Sequence, residues 1–130
     1  MTWTYVQSSG ELLHNGTHVA NGYAGHGEGV NNAADEGIED VGPVPEGKYT
    51  IGDPFTHPTC GPIAMRLEPA ADNQMFGRSG FLIHGDNSSL NHSASNGCII
   101  LGPAIRTQIA KSGDRALVVM ARPTTETQTA

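Results

Sequence analysis

This sequence predicts a mainly β fold with one short helix, on three observations. Gly and Pro are plentiful, 17 and 8, and spread along the chain, which cuts it into short segments. Between them lie short apolar runs, some alternating with polar residues and some unbroken, as half-buried and fully buried strands do. Only the stretch after Gly102-Pro103 carries helical spacing.

Trp3 to Gln7 alternates large apolar with polar residues and ends at Ser8-Ser9-Gly10. Leu12 to His14 follows, then Asn15-Gly16, a strong hairpin-turn dipeptide. Thr17 to Tyr23 returns as a third strand, completing an N-terminal antiparallel meander. Residues 24 to 42 are Gly-rich and acidic, with Glu28, Asp35, Glu36, Glu39 and Asp40. That segment reads either as a solvated surface loop or as a lid over substrate. Its oxygen ligands fail the spacing of an EF-hand.

Gly42-Pro43-Val44-Pro45-Glu46-Gly47 is a rigid turn feeding a strand whose Tyr49 and Ile51 share one face. Pro54 to Pro62, which holds Cys60, is a turn-rich connection. Ala64 to Leu67 is a short strand, and Gly80 to Ile83 is apolar enough to be a central one. Cys98 to Leu101 is another buried strand. Pro103 then opens a helix that Gly113 stops, with Leu101, Ile105 and Ile109 on one stripe. Arg115 to Ala121 is the last strand, with Leu117 and Val119 on one face. Residues 1–122 read as one domain and 123–130 as a frayed, Thr-rich tail.

At 130 residues the chain can bury a core without staples. A formal charge of −6 and scattered basic residues argue against nucleic acid or an anionic membrane as partner. No apolar stretch is long enough to insert in a membrane. The first residues lack the basic head and apolar core of a signal peptide. Two cysteines, Cys60 and Cys98, are too few for a disulfide framework. They read as a single bridge, as buried small side chains or as reactive thiols.

Chemistry concentrates between Arg78 and Leu101. One apolar run delivers His84 to Gly85, and the turn Ser95-Asn96-Gly97 delivers Cys98 to the next run. A free thiol ionises near pH 8.5, so a nucleophilic cysteine needs a base or a positive field beside it. His84 is the candidate base, 14 residues before Cys98, a separation that a strand, a loop and a tight return can close. Backbone N–H groups of Gly97 and Cys98 are placed to serve as an oxyanion hole. Buried structural roles for both side chains remain open on spacing alone.

Strand, His84-Gly85, loop, then Ser95-x-Gly97-Cys98 with apolar residues after it resembles the active-site signature of the YkuD-like L,D-transpeptidases. Gly22-Tyr23-Ala24-Gly25, Asn31-Asn32, the 42–49 turn and the run from Gly77 to Gly85 are similar to the type VI secretion branch of those enzymes. The resemblance spans most of residues 3 to 121. It implies an L,D-transpeptidase-like β-sandwich, Cys98 as nucleophile and His84 as its base. It further implies Ser95, Asn96 and Gly97 as the turn beside the oxyanion, and Arg78 as a substrate-binding residue. Asn96 stands where these enzymes usually have a second histidine. That leaves Gly85, Asp86 and Ser95 as candidates to orient His84.

The implied reaction is acyl transfer on a peptidoglycan stem. Cys98 attacks the diaminopimelate carbonyl at position 3, D-Ala leaves, and the thioester passes to water or to an amine. No cofactor is implied. The implied partners are a secretion component and an immunity protein, and the implied site of action is the periplasm of a rival cell. Arg78, at the head of the motif, and Arg66, ahead of it, are basic residues suited to a carboxylate-bearing peptide. Two other readings compete: a zinc peptidase using His84, Asp86 and His92, and a non-catalytic wall-binding or adaptor module. Activity that survives loss of Cys98 but not a chelator would favour zinc, and muropeptides unchanged by the protein would favour the binding module.

Overall fold

Asn15 and Gly16 sit at φ 52° and 84°, the left-handed pair of a tight hairpin turn. Asn15 Oδ1 accepts from Thr2 N–H at 3.0 Å and pins the turn to the first strand. A computed structural model describes residues 2–26, 29–39, 41–58, 60–85 and 97–122. The turn joins β2 (Glu11–His14) to β3 (Thr17–Asn21), and β1 (Thr2–Val6) lies antiparallel to β2. The meander is as expected.

The expected third strand is divided. It stops at Asn21, and β4 (Tyr23–Ala24) pairs elsewhere, with β9 (Ile99–Ile100). Gly22 is the reason. Its N–H donates to Gly10 O at 2.7 Å, and a Cβ there would lie 2.1 Å from Ile100 O. Only glycine passes between the two backbones, so the chain changes sheet edges within one residue.

The remaining strands are β5 (Gly47–Ile51), β6 (Phe55–His57), β7 (Gly61–Pro69), β8 (Leu82–His84) and β10 (Ala116–Met120). The hydrogen-bonded order is β3-β2-β1-β10-β5-β7-β8-β9-β4, with β6 on β7. β1–β10 and β8–β9 are parallel and the other pairs antiparallel. The path is an open mixed sheet, yet its two ends, β3 and β4, are one residue apart in the chain, so the sheet curls round. β7 makes the corner, pairing β5 through Leu67–Pro69 and β8 through Met65–Arg66.

Both halves face one core. Trp3, Tyr5, Leu12 and Leu117 meet Ile83, Ile99 and Leu101 in a single buried cluster. Each such side chain contributes about 1.5–3 kcal/mol by leaving water. The fold is therefore mainly β, as expected, with α1 (Pro103–Ser112) packed against the cluster through Ile109 and Ile105. Pro103 opens α1, and Gly113, at φ 75°, caps it in the left-handed conformation.

Four further strands differ from expectation. β7 runs well beyond Ala64–Leu67 at both ends, and β9 keeps only the middle of Cys98–Leu101. β6 lies inside the stretch read as turns, because Phe55 pairs with Ala64 and its ring lies under the Arg66 guanidinium, 4.8 Å away. β8 starts two residues later than Gly80, which sits at φ 78°, outside the strand region. Residues 123–130 lie outside the described residues.

Candidate active site

β8 and β9 run parallel with Ile83 opposite Ile99 and His84 opposite Ile100. One step back along that register sets Cys98 opposite Leu82. Side chains alternate across a strand, so Ile83 and Ile99 enter the core while Leu82, His84, Cys98 and Ile100 share the other face. The structure thus brings the thiol and the imidazole to one face of neighbouring strands. They sit on a diagonal of about 8 Å between backbones, one strand across and two residues along, within reach of two side chains. On the other side, continuing the β4 register by one residue sets Gly25, which carries no side chain of its own, opposite Cys98.

The ladder begins at Ile83, which leaves Leu82 N–H without a carbonyl across from it. It donates instead to Cys98 Sγ at 3.3 Å. His84 is buried, and its Nδ1 lies 2.8 Å from Gly85 O. A carbonyl only accepts, so Nδ1 carries the proton and Nε2 is the basic nitrogen. Of the candidates for orienting His84, Gly85 is the one among the described residues, and its carbonyl is the oxygen beside Nδ1. Asp86, Ser95 and Asn96, together with His92 of the zinc reading, lie outside the described residues.

Burial pushes the Cys98 thiol up to about 11, further raised by Cys60 and opposed by Leu82 N–H and by Arg78. The resting sulfur is therefore protonated at neutral pH, and its proton must leave as it attacks. In a Cys60→Ser protein, which removes the second thiol, alkylation of Cys98 by iodoacetamide is expected to rise about tenfold per pH unit from 7 to 10. A rate already flat at pH 7 would instead mean a standing thiolate–imidazolium pair. Cys60 is also a free thiol, and its N–H donates to His57 Nδ1 at 3.0 Å.

Gly97 is buried at φ 136°, and its carbonyl accepts from Val44 N–H at 2.8 Å. A Cβ on it would fall 2.5 Å from Arg78 Nη2 and 2.7 Å from the Phe81 ring. The turn before the thiol is therefore packed directly on Arg78. Arg78 is only 6% exposed. Nη1 donates to Glu36 O at 2.6 Å and Pro43 O at 2.9 Å, Nη2 to Gly42 O at 3.0 Å, and the group lies 5.0 Å from the centre of the Phe81 ring. Arg78 ties the acidic 24–42 segment to the site. Glu36 adds to this tie, its Oε1 accepting from Glu46 N–H at 2.8 Å and from Gln7 Nε2 at 3.3 Å.

Arg106 is a further neighbour of the site, outside the Arg78–Leu101 stretch. It is 7% exposed on α1. Its Nε donates to Leu101 O at 3.0 Å and Nη1 to Pro62 O at 2.7 Å and Ile63 O at 3.3 Å. Nη2 packs on Gly85, where a Cβ would come within 2.7 Å of it. Burial pushes this guanidinium below its usual value. A signal exists in the sequence: Arg106 precedes Ile109 by three, and so lies on the face that α1 buries.

Fold and site define a mainly β domain that presents a partly buried thiol beside an oriented imidazole. The chain belongs to the Tlde1 domain family, whose model matches residues 18–125. This is the type VI secretion L,D-transpeptidase effector family, with peptidoglycan as its theme and the target-cell periplasm as its destination. No curated protein matches the chain. No helix among the described residues is long and apolar enough to cross a membrane.

Proposed function

We propose that this protein is a cysteine acyltransferase acting on tetrapeptide stems of peptidoglycan at the diaminopimelate–D-Ala bond. The observation that carries the reading is the shared face of Cys98 and His84, with Nδ1 of His84 held by Gly85 O. His84 Nε2 takes the thiol proton as Sγ bonds to the diaminopimelate carbonyl carbon. Backbone N–H groups of Gly97 and Cys98 take the oxyanion. The carbon–nitrogen bond then breaks, His84 returns the proton to the leaving amine of D-Ala, and a thioester remains. Water, a free D-amino acid or another stem resolves it, which restores the thiol.

Arg78, with its guanidinium on three carbonyls, is better suited to holding the Gly97 turn than to meeting substrate. Its charge also favours the thiolate that forms during attack. Trimmed or capped stems cannot donate in ordinary cross-linking, which gives an injected effector its toxicity. A cognate immunity protein and a secretion component complete the proposal.

Mass spectrometry of muropeptides incubated with the folded wild-type protein tests it. Tetrapeptide stems are expected to become tripeptides or, with an added D-amino acid, exchanged tetrapeptides. An unchanged profile would overturn the assignment.

A further inference from the structure

Where the sheet curls shut, β2, β3, β4 and the start of α1 leave a cleft of about 930 Å³. Glu11, His18, Tyr23, Ile100, Gly102 and Arg106 are among its walls. Ile100 lies two residues beyond Cys98 on the same strand face, so the cleft opens about 7 Å along β9 from the thiol, at 3.3 Å per residue. It adjoins the proposed chemistry without containing it.

Its charges are few and placed. Arg106 is more than nine-tenths buried, and three carbonyls fix its Nε and Nη1. The carbonyls of Pro62 and Ile63 come from a strained stretch: Ile63, a β-branched residue, is held at φ 56°. Both carbonyl oxygens of that stretch accept from Arg106 Nη1. Among the described residues Nη2 has no hydrogen-bond partner. The first turn of α1 also opens here behind Gly102, with no side chain capping its N–H groups, which adds partial positive charge. On β2, Ser9 Oγ donates to Glu11 Oε1 at 2.9 Å, while Oε2 makes no hydrogen bond among the described residues. His18 is turned to its own strand, Nε2 lying 2.9 Å from Asn21 Oδ1. One wall therefore offers a fixed cation and another a carboxylate.

Resting on the acyl-transfer reading, we propose that this cleft is the subsite for the zwitterionic side-chain end of the position-3 diamino acid. Arg106 Nη2 takes the carboxylate and Glu11 the ammonium. The separation from the thiol selects this group. A diamino acid bound at Cys98 through its main-chain carbonyl projects its far end along the strand, whereas the carboxylate of the leaving D-Ala stays close to the scissile nitrogen. A net charge of −6 would repel an anionic stem at large, and a buried guanidinium inside a cleft offsets that locally. The cleft would therefore discriminate by what the side chain of position 3 carries.

Calorimetric binding to the Cys98→Ala protein tests this without turnover, using synthetic tetrapeptide stems with the side-chain carboxylate of position 3 free or amidated. The free acid is expected to bind at least about tenfold more tightly, as loss of a charge-assisted hydrogen bond requires. Arg106→Lys, lacking the fork, is expected to shrink that ratio, and Glu11→Gln to weaken both stems. Equal binding of acid and amide to Cys98→Ala would overturn the subsite whether or not the Arg106 variant folds. Discrimination in binding with no wild-type turnover would retain the subsite and count against the acyl-transfer reading.

Discussion

Cys98→Ala is expected to abolish conversion of tetrapeptide stems, and His84→Ala to slow it by about 10²–10⁴-fold, the usual contribution of a positioned general base. The two effects differ because the two groups do different work. Without sulfur no thioester forms, and nothing replaces it. Without the imidazole the thiol remains, but burial has pushed it up to about 11, so little of it is ionised at pH 7. The residual rate should then climb with pH as the thiolate appears unaided, a profile that a structural histidine would not leave behind. Neither change should unfold the protein. Cys98 is partly buried, and its sulfur gives up the hydrogen bond from Leu82 N–H. His84 loses its hydrogen bond to Gly85 O and some packing. Muropeptide mass spectrometry with circular dichroism on each variant checks the pair. Full activity in folded Cys98→Ala would mean that another group is the nucleophile.

Residues that act on their own neighbours were legible in the sequence. Asn15-Gly16 dictates its turn through local φ preferences, Pro103 and Gly113 bound α1 for the same reason, and alternation places Tyr49, Ile51, Leu117 and Val119 correctly. His84 and Cys98 were legible as neighbours because each ends or begins an apolar run at a glycine.

What stayed hidden depends on distant backbone. Gly22 divides a strand because Gly10 and Ile100 pass on either side of it, and no local pattern encodes that crossing. Arg106 is buried through carbonyls of Leu101, Pro62 and Ile63, the last two on another strand. A charged residue in a sequence is expected to find a carboxylate or water. Here two arginines find carbonyls, and carbonyls leave no mark in a sequence. Gly85 could be read only as one of three candidates beside His84, since the oxygen that lies near Nδ1 is a main-chain one.

Arg78 gives the largest expected effect on stability. Arg78→Ala removes three charge-assisted hydrogen bonds from carbonyls of Glu36, Gly42 and Pro43. At about 1.5–3 kcal/mol each these would sum to about 4.5–9 kcal/mol, a large share of what a domain has to lose. Water entering the vacated space re-satisfies part of them, so the expected loss is about 3–5 kcal/mol, read as a shift in the urea midpoint at constant slope. Arg78→Lys keeps the charge but not the planar fork, and should fall between wild type and alanine. The damage should also reach the thiol. Gly97 packs on the guanidinium, and Val44 N–H donates to Gly97 O, so freeing the 36–44 stretch frees the turn that presents Cys98. Below its melting range, Arg78→Lys should therefore lose turnover out of proportion to its lost stability. A lysine variant with wild-type turnover would reduce Arg78 to a fastener of the loop alone, with no part in holding the nucleophile in place.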